Sequence, residues 1–312
     1  MCDIIISIGE IIMEMDKKNV VNGAMEFAKY MTEQIPQKDT NGNATYYFSG
    51  SLAMLLLSSA NSITPAVLDK DGKVVSIQET MSIQEEHKEN LSQGIRPLTG
   101  DVDIVCVDDN IFAGKGNIFT KNNIQQHCSC SNLLCPAWGK SSISKINTDL
   151  LSGDRTFSFY DVAELILEDG SIVIIADPLA LICHKFADGI SCLSAVNRLK
   201  QKGILRPEKE QELIQKYQKD IHDLTSMFNG VISLYPNIQF AELIENVLQN
   251  CDKTAFSSMM CNNSCDKIIK LCADCIGQIN DENKDLFYNF VNAIGIKNKA
   301  ILENQNSSTP SQ

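Results

Sequence analysis

Val20, Val21, Ala24, Phe27, Ala28 and Met31 recur at the spacing of a helix with one apolar face, so Asn19–Ile35 is predicted as an amphipathic helix that Pro36 ends. The apolar run Ile4–Ile12 ahead of it is read as a core element. After the polar loop Lys38–Asn43, Tyr46-Tyr47-Phe48 predicts a short strand that stops at Ser49-Gly50-Ser51. Leu52–Leu57 then has the density of apolar residues expected of a buried helix. Residues 61–97 differ in texture: Asp71-Gly72 sits between short β-prone runs within Val67–Val75, and Glu79–Leu91 is charged and helix-prone. That stretch is read as an insertion.

Asp101–Val107, an Asp-Val-Asp start running into the apolar Ile104–Val107, predicts a strand, whereas residues 110–145 have little periodicity and predict a long irregular loop. Lys145–Leu151 is a further strand candidate. Val162–Leu167 and Ser171–Ile175 flank Glu168-Asp169-Gly170 and predict a hairpin. Asp177-Pro178 opens a helix, with Asp as cap and Pro at the first helical position. From there Pro178–Gly189, Pro207–Phe228, Phe240–Gln249, Lys267–Ile279 and Asn283–Ile294 all carry helical periodicity. The expected organisation is an α/β domain over 1–190 with 61–97 inserted, a helical domain over 191–303, and a disordered polar tail over 304–312. The fold class is α+β.

Composition narrows the function classes. Apolar residues at 44% and charged residues at 21% exclude wholesale disorder. Aromatics at 6%, with one Trp, argue against an aromatic-lined sugar or single-stranded nucleic-acid cleft. Lys plus Arg is 27 against 39 Asp plus Glu, a net charge of −12 that disfavours coating of nucleic acid without excluding a local basic groove. No apolar run approaches the roughly 18 residues of a membrane span. Asp3 and Glu10 break the pattern of a signal peptide, so a cytoplasmic location with no membrane partner is expected.

Twelve cysteines without an export signal point to thiols rather than a disulfide framework. Cys106 and Cys183 lie in apolar runs and read as small buried hydrophobes. The groups Cys261, Cys265, Cys272, Cys275 and His127, Cys128, Cys130, Cys135 invite a zinc reading. Cys265, Cys272 and Cys275 fall near one helical face, however, as core residues would. His87, His184 and His222 form no recognisable triad with a Ser or Cys, so hydrolase chemistry has no support.

The residues that suggest chemistry are elsewhere. Asp101 and Asp103, two apart on a strand, present both carboxylates to one face, while Val102, Ile104 and Cys106 take the other. Adjacent carboxylates repel, so the pair is either a solvated strand end or a holder for a hard cation, Mg²⁺ or Mn²⁺. Ser49-Gly50-Ser51 turns a strand into a helix, and it reads either as an ordinary capped turn or as an anion site at a helix start.

Together these pieces resemble the signature of the polymerase-beta-like nucleotidyltransferase superfamily: a hydrophobic strand, Gly-Ser, a helix, then a strand bearing Asp-x-Asp. Lys145–Leu151 is similar to the later strand on which that family carries its third carboxylate, pointing to Asp149, with Asp154 and Asp161 as neighbouring rivals. Ile175–Phe186 is similar to a helix opening in the abortive-infection branch, where a Lys follows, and Lys219–Leu224 resembles the Lys-Asp-x-x-Asp-Leu element of the same branch. The resemblance covers about Ala44–Phe228 and departs from the family in one respect: Gly50 and Asp101 are 51 residues apart where the family has little more than one helix, so 61–97 would be an insertion between helix and strand.

The resemblance implies a mixed-sheet nucleotidyltransferase core followed by an all-helical C-terminal domain. It implies transfer of a nucleoside monophosphate from an NTP to an acceptor hydroxyl on protein, tRNA or a small molecule, and by analogy a toxin-like role. Asp101, Asp103 and Asp149 would hold metal, Gly50 and Ser51 would seat phosphates, and Lys185 would counter triphosphate charge. Asp220 and Asp223, on one helical face, would support Lys185. The competing expectation is a non-catalytic binding or interaction module on the same fold.

Overall fold

A computed structural model describes residues 2–95, 102–107, 111–112, 150–152, 161–235, 238–250 and 265–307. The architecture is α+β: strands occupy the N-terminal half and helices dominate the C-terminal half. The chain divides into two compact units, one holding everything described up to Asp177 and the other everything described from Pro178 onward.

The first unit is built around one sheet. Helix α1 (Cys2–Gln34) buries Val20, Ala24, Phe27, Ala28 and Met31 of the sequence pattern and leaves Val21 half-buried. It begins at Cys2, so the Ile4–Ile12 run and the amphipathic segment are one continuous helix. Tyr46 donates from its hydroxyl to the Ile35 carbonyl at 2.8 Å, and Thr45 donates to the Pro36 carbonyl at 2.8 Å, so the chain leaving α1 is tied to the strand that follows. That strand is β1 (Tyr46–Phe48), followed by α2 (Gly50–Leu57).

The remaining strands are β2 (Ala60–Leu68), β3 (Val74–Ile77), β4 (Met81–Ser82), β5 (Ile104–Cys106), β6 (Leu150–Ser152), β7 (Asp161–Leu167) and β8 (Ile172–Ala176), with α3 (Glu85–Ser92) after β4. Their order across the sheet is β3-β2-β7-β8-β1-β5-β6, with β4 also on β2. β1 runs antiparallel to β5 and parallel to β8, and β5 runs parallel to β6. The Glu168-Asp169-Gly170 hairpin forms as expected between β7 and β8, with Gly170 at φ +81°, a region that favours glycine. Gln37 completes β8: its carboxamide donates to the Ile174 carbonyl at 2.8 Å and accepts from the Ile174 N–H at 2.7 Å.

The stretch read as an insertion is not peripheral. β2 pairs antiparallel with β7 along nearly its whole length, which joins the β2–β3 hairpin to the main sheet. α3 is anchored by Lys88, a buried ammonium 2.8 Å from Glu168, 3.0 Å from Glu85 and 3.1 Å from the Asn61 side-chain oxygen. Of the irregular stretch expected at 110–145, only Ile111 and Phe112 fall within the described residues, and Phe112 packs edge-on against Tyr46 at 5.2 Å.

The second unit is helical: α4 (Pro178–Gln201), α5 (Pro207–Gly230), α6 (Phe240–Asn250), α7 (Cys265–Ile276) and α8 (Lys284–Ser307). Its core is aromatic. Phe228 lies 5.1 Å from Phe287 and 5.4 Å from Phe290, and Phe290 lies 5.4 Å from Phe186 and from Phe240. The expected stop at Gly189 does not occur. Gly189 is buried inside α4, and a Cβ there would lie 3.3 Å from a Leu271 methyl, so this glycine admits α7 rather than ending the helix. α8 likewise runs through Ser307, into the polar stretch read as tail. Among the described residues α4 is the one helix long and apolar enough to cross a membrane, and 56% of its most apolar stretch is buried inside the protein.

Candidate functional site

The site begins where β1 ends. Ser49 is the N-cap residue of α2 in an extended conformation, yet its side chain makes no capping hydrogen bond. Its N–H instead donates to the Asp103 carbonyl at 2.9 Å, continuing the β1–β5 ladder in which Phe48 is level with Ile104. Gly50 follows at φ +57°, in the left-handed region. Of the eight residues of α2, Ser51 alone is not buried.

Asp103 closes on this turn from the neighbouring strand. A Cβ on Gly50 would overlap Asp103 Oδ2 and lie 2.7 Å from Cγ. The carboxylate therefore sits directly against the backbone at the start of α2, at a distance only glycine permits. Val102, Ile104 and Cys106 are buried, as the alternation predicts, and Asp103 is half-buried. Val105 is buried as well, because β5 is covered on both faces at its centre. The arrangement brings together a hard oxygen donor, a close-packed backbone turn and the half-buried hydroxyl of Ser51.

Asp101 and Asp149 lie outside the described residues, as does Asp154. Leu150, next in the chain after Asp149, is level with Ile104, next in the chain after Asp103. Asp161, the other rival, lies at the start of β7, and burial raises its pKa. Asp177 is also buried, and its N–H donates to the Asp161 carbonyl at 3.0 Å.

No family model, curated protein or solved structure matches this chain. Among the described residues no group of three or more His, Cys, Asp or Glu side chains is positioned to hold a metal ion. Cys106, Cys183, Cys192, Cys272 and Cys275 are thiols outside any disulfide, and Cys275 is buried in α7. The cysteine group around 128–135, with His127, and Cys261 lie outside the described residues.

The second unit carries a separate charged cluster. The Lys185 ammonium lies 2.8 Å from Asp223 Oδ2 and 3.5 Å from Asp220 Oδ1, and all three side chains are at most 5% exposed. The expected support of Lys185 by Asp220 and Asp223 is thus a direct ion-pair network between α4 and α5. Burial works against the charge on Lys185, but Asp223 and Asp220, with Asp188 beyond them, hold its pKa above the ordinary value. Burial pushes Asp220 up to about 6, against the pull of Lys185. An ammonium held this way is already neutralised and is not a ready countercharge for a triphosphate.

Residues that sequence reasoning missed flank this cluster. Asp188 lies 3.5 Å from His184 Nε2, and Lys216 has its pKa raised first by Asp188 and further by Asp220. The available signal was spacing: His184 and Asp188, like Lys216 and Asp220, are one helical turn apart.

Proposed function

We propose that the chain is a metal-dependent nucleotidyltransferase that moves a nucleoside monophosphate from an NTP to an acceptor hydroxyl on a protein, tRNA or small molecule. The observation that carries this reading is the seating of the Asp103 carboxylate against Gly50 at the start of α2. A solvated strand end needs no such fit. A carboxylate that must meet a cation-bound phosphate lying on backbone amides does.

The donor chemistry fits the implied ion. Asp103 offers a hard oxygen ligand, half-open to solvent, of the kind that Mg²⁺ or Mn²⁺ takes alongside phosphate oxygens. The ion, when bound, would supply charge stabilisation at the reacting phosphorus. Asp101 and Asp103 would hold it, and Asp149, or Asp161 in its stead, would accept the proton of the acceptor hydroxyl. Gly50 admits the Asp103 carboxylate against the backbone, and the N–H groups at the start of α2 with the Ser51 hydroxyl would donate to phosphate oxygens beside it. Asp220 and Asp223 act here as positioning residues that fix Lys185 and, through it, the α4–α5 packing. The five described thiols outside any disulfide suit a reducing compartment, and the cytoplasm is the proposed location.

The test is incubation of the protein with each α-labelled NTP, Mg²⁺ and cell lysate, followed by identification of the labelled macromolecule. Label transferred by the native chain and not by Asp103→Asn supports the proposal. Equal labelling by both, or none by either with any NTP, refutes it and leaves the interaction-module reading.

A further inference from the structure

A cleft of about 780 Å³ opens in the helical unit between the C-terminal half of α4, the N-terminal half of α5 and α7. That volume is within the range of small-molecule sites. Its apolar wall comes from Leu193 and Val196 on α4 and from Leu213, Ile214 and Ile221 on α5. Cys192 and Tyr217 line it as buried residues. Such a surface favours an apolar body.

Two of the lysines around the cleft, Lys200 and Lys270, are paired within the protein. Lys200 is 2.7 Å from Glu210, which links the end of α4 to the start of α5. Lys270 is 2.7 Å from Asp274, which also accepts from the Tyr217 hydroxyl at 2.7 Å, while the Lys270 ammonium lies 5.8 Å from the centre of the Tyr217 ring. An anionic ligand would have to compete with these carboxylates for the lysines, and a cationic ligand with these lysines for the carboxylates. A neutral ligand disturbs neither pair.

Two carboxamides are placed to recognise it. The carboxamides of Asn197 and Gln218, one on each side of the α4–α5 groove, make no hydrogen bond within the described protein. A carboxamide offers both donors and an acceptor. We propose that this cleft binds an uncharged small molecule with an apolar, ring-sized body and an amide-like hydrogen-bonding edge. The site belongs wholly to the helical unit and does not depend on the nucleotidyltransferase reading.

The test uses three probes of one shape on the full chain: 2-naphthamide, 2-naphthoate and 2-naphthylmethylammonium, followed by calorimetry and ligand-observed NMR. The neutral amide is expected to bind about tenfold tighter than either ion, the discrimination of one hydrogen-bonded edge plus undisturbed ion pairs. Val196→Trp, which fills the cleft, is expected to abolish binding. Asn197→Asp with Gln218→Glu, at exposed positions that spare the fold, is expected to weaken the amide about tenfold. The proposal is overturned by equal or tighter binding of either ion, by no saturable binding of the amide, or by amide affinity unchanged in the Asn197/Gln218 double variant. It is also overturned by self-association of the native chain that Val196→Trp removes, because the occupant would then be a second copy.

Discussion

The Asp103 carboxylate fills the space into which a side chain on Gly50 would project. Two residues far apart in sequence thus meet at one point because β1 and β5 are hydrogen-bonded neighbours, with the Ser49 amide held by the Asp103 carbonyl. The left-handed backbone at Gly50 and the missing Cβ serve the same contact.

Gly50→Ala therefore carries two penalties. Left-handed backbone costs an L-residue roughly 1–2 kcal/mol, and the new methyl overlaps Asp103. The expected total is about 2–4 kcal/mol, of the size typical for overpacking at a strained site. Adding Asp103→Ala removes the overlap and leaves the backbone cost, so the double variant is expected to be more stable than Gly50→Ala alone. Urea denaturation of the two variants and the native chain reads this directly. Additive losses would disprove the contact.

The buried ion pairs make a sharper demand. Lys185→Met leaves Asp220 and Asp223 buried without their cation, and a loss of about 3–5 kcal/mol is expected. Replacing all three by apolar residues of similar volume is expected to recover most of it. Chemical unfolding followed by circular dichroism separates the two cases, and a Lys185→Met variant as stable as the native chain would show that the network is not a unit.

The same network predicts a pH dependence. Asp220 has its folded pKa raised from 3.8 to about 6, chiefly by burial. The folded chain then holds that proton more tightly than the unfolded chain. The contribution of Asp220 to stability therefore falls as pH rises through this interval and is flat above it. Lys185, with its folded pKa raised, contributes stability below its ordinary value of 10.5 that is lost as pH climbs through the higher folded value. Comparing native protein with Asp220→Asn across pH 3.8 to 6, the native chain is expected to lose stability relative to the variant. A parallel pair of curves would contradict the assignment.

Much of this was legible in the residues. Helical periodicity at Val20–Met31, the Gly-Ser turn after three aromatic residues and the Glu168-Asp169-Gly170 hairpin are local patterns that form as read, whereas the stop expected at Gly189 gives way to packing against Leu271. What failed was long-range. β2 contains Pro65, which has no N–H to give a ladder and so argues against an interior strand. The strand tolerates it because Pro65 still accepts from Gln78 at 2.9 Å, and the pairing on that side breaks between β3 and β4. β7, on the other side, then draws the supposed insertion into the sheet. The Lys185 network was half-legible: the spacing of Asp220 and Asp223 was visible, but its burial depends on how α4 meets α5.

Gly189 gives a further check on that packing. Its hydrogen atoms face Leu271 on α7, and a Cβ there would lie 3.3 Å from one Leu271 methyl and 3.4 Å from the other. Gly189→Val is expected to destabilise by about 1–3 kcal/mol through overpacking, and Leu271→Ala in the same chain to restore part of the loss. Thermal melting measures both. A second change that only adds to the first would mean that the two residues do not touch.

The central claim is that Asp103, held against Gly50, helps to bind a metal-bound triphosphate. Isothermal titration of ATP, GTP, CTP and UTP into the native chain and Asp103→Asn, with and without Mg²⁺, tests it most directly. The expected result is Mg²⁺-dependent binding of at least one triphosphate by the native chain, weakened at least tenfold in the variant, about 1.4 kcal/mol or more. Binding that ignores Mg²⁺ and Asp103, or no binding of any of the four, would contradict it.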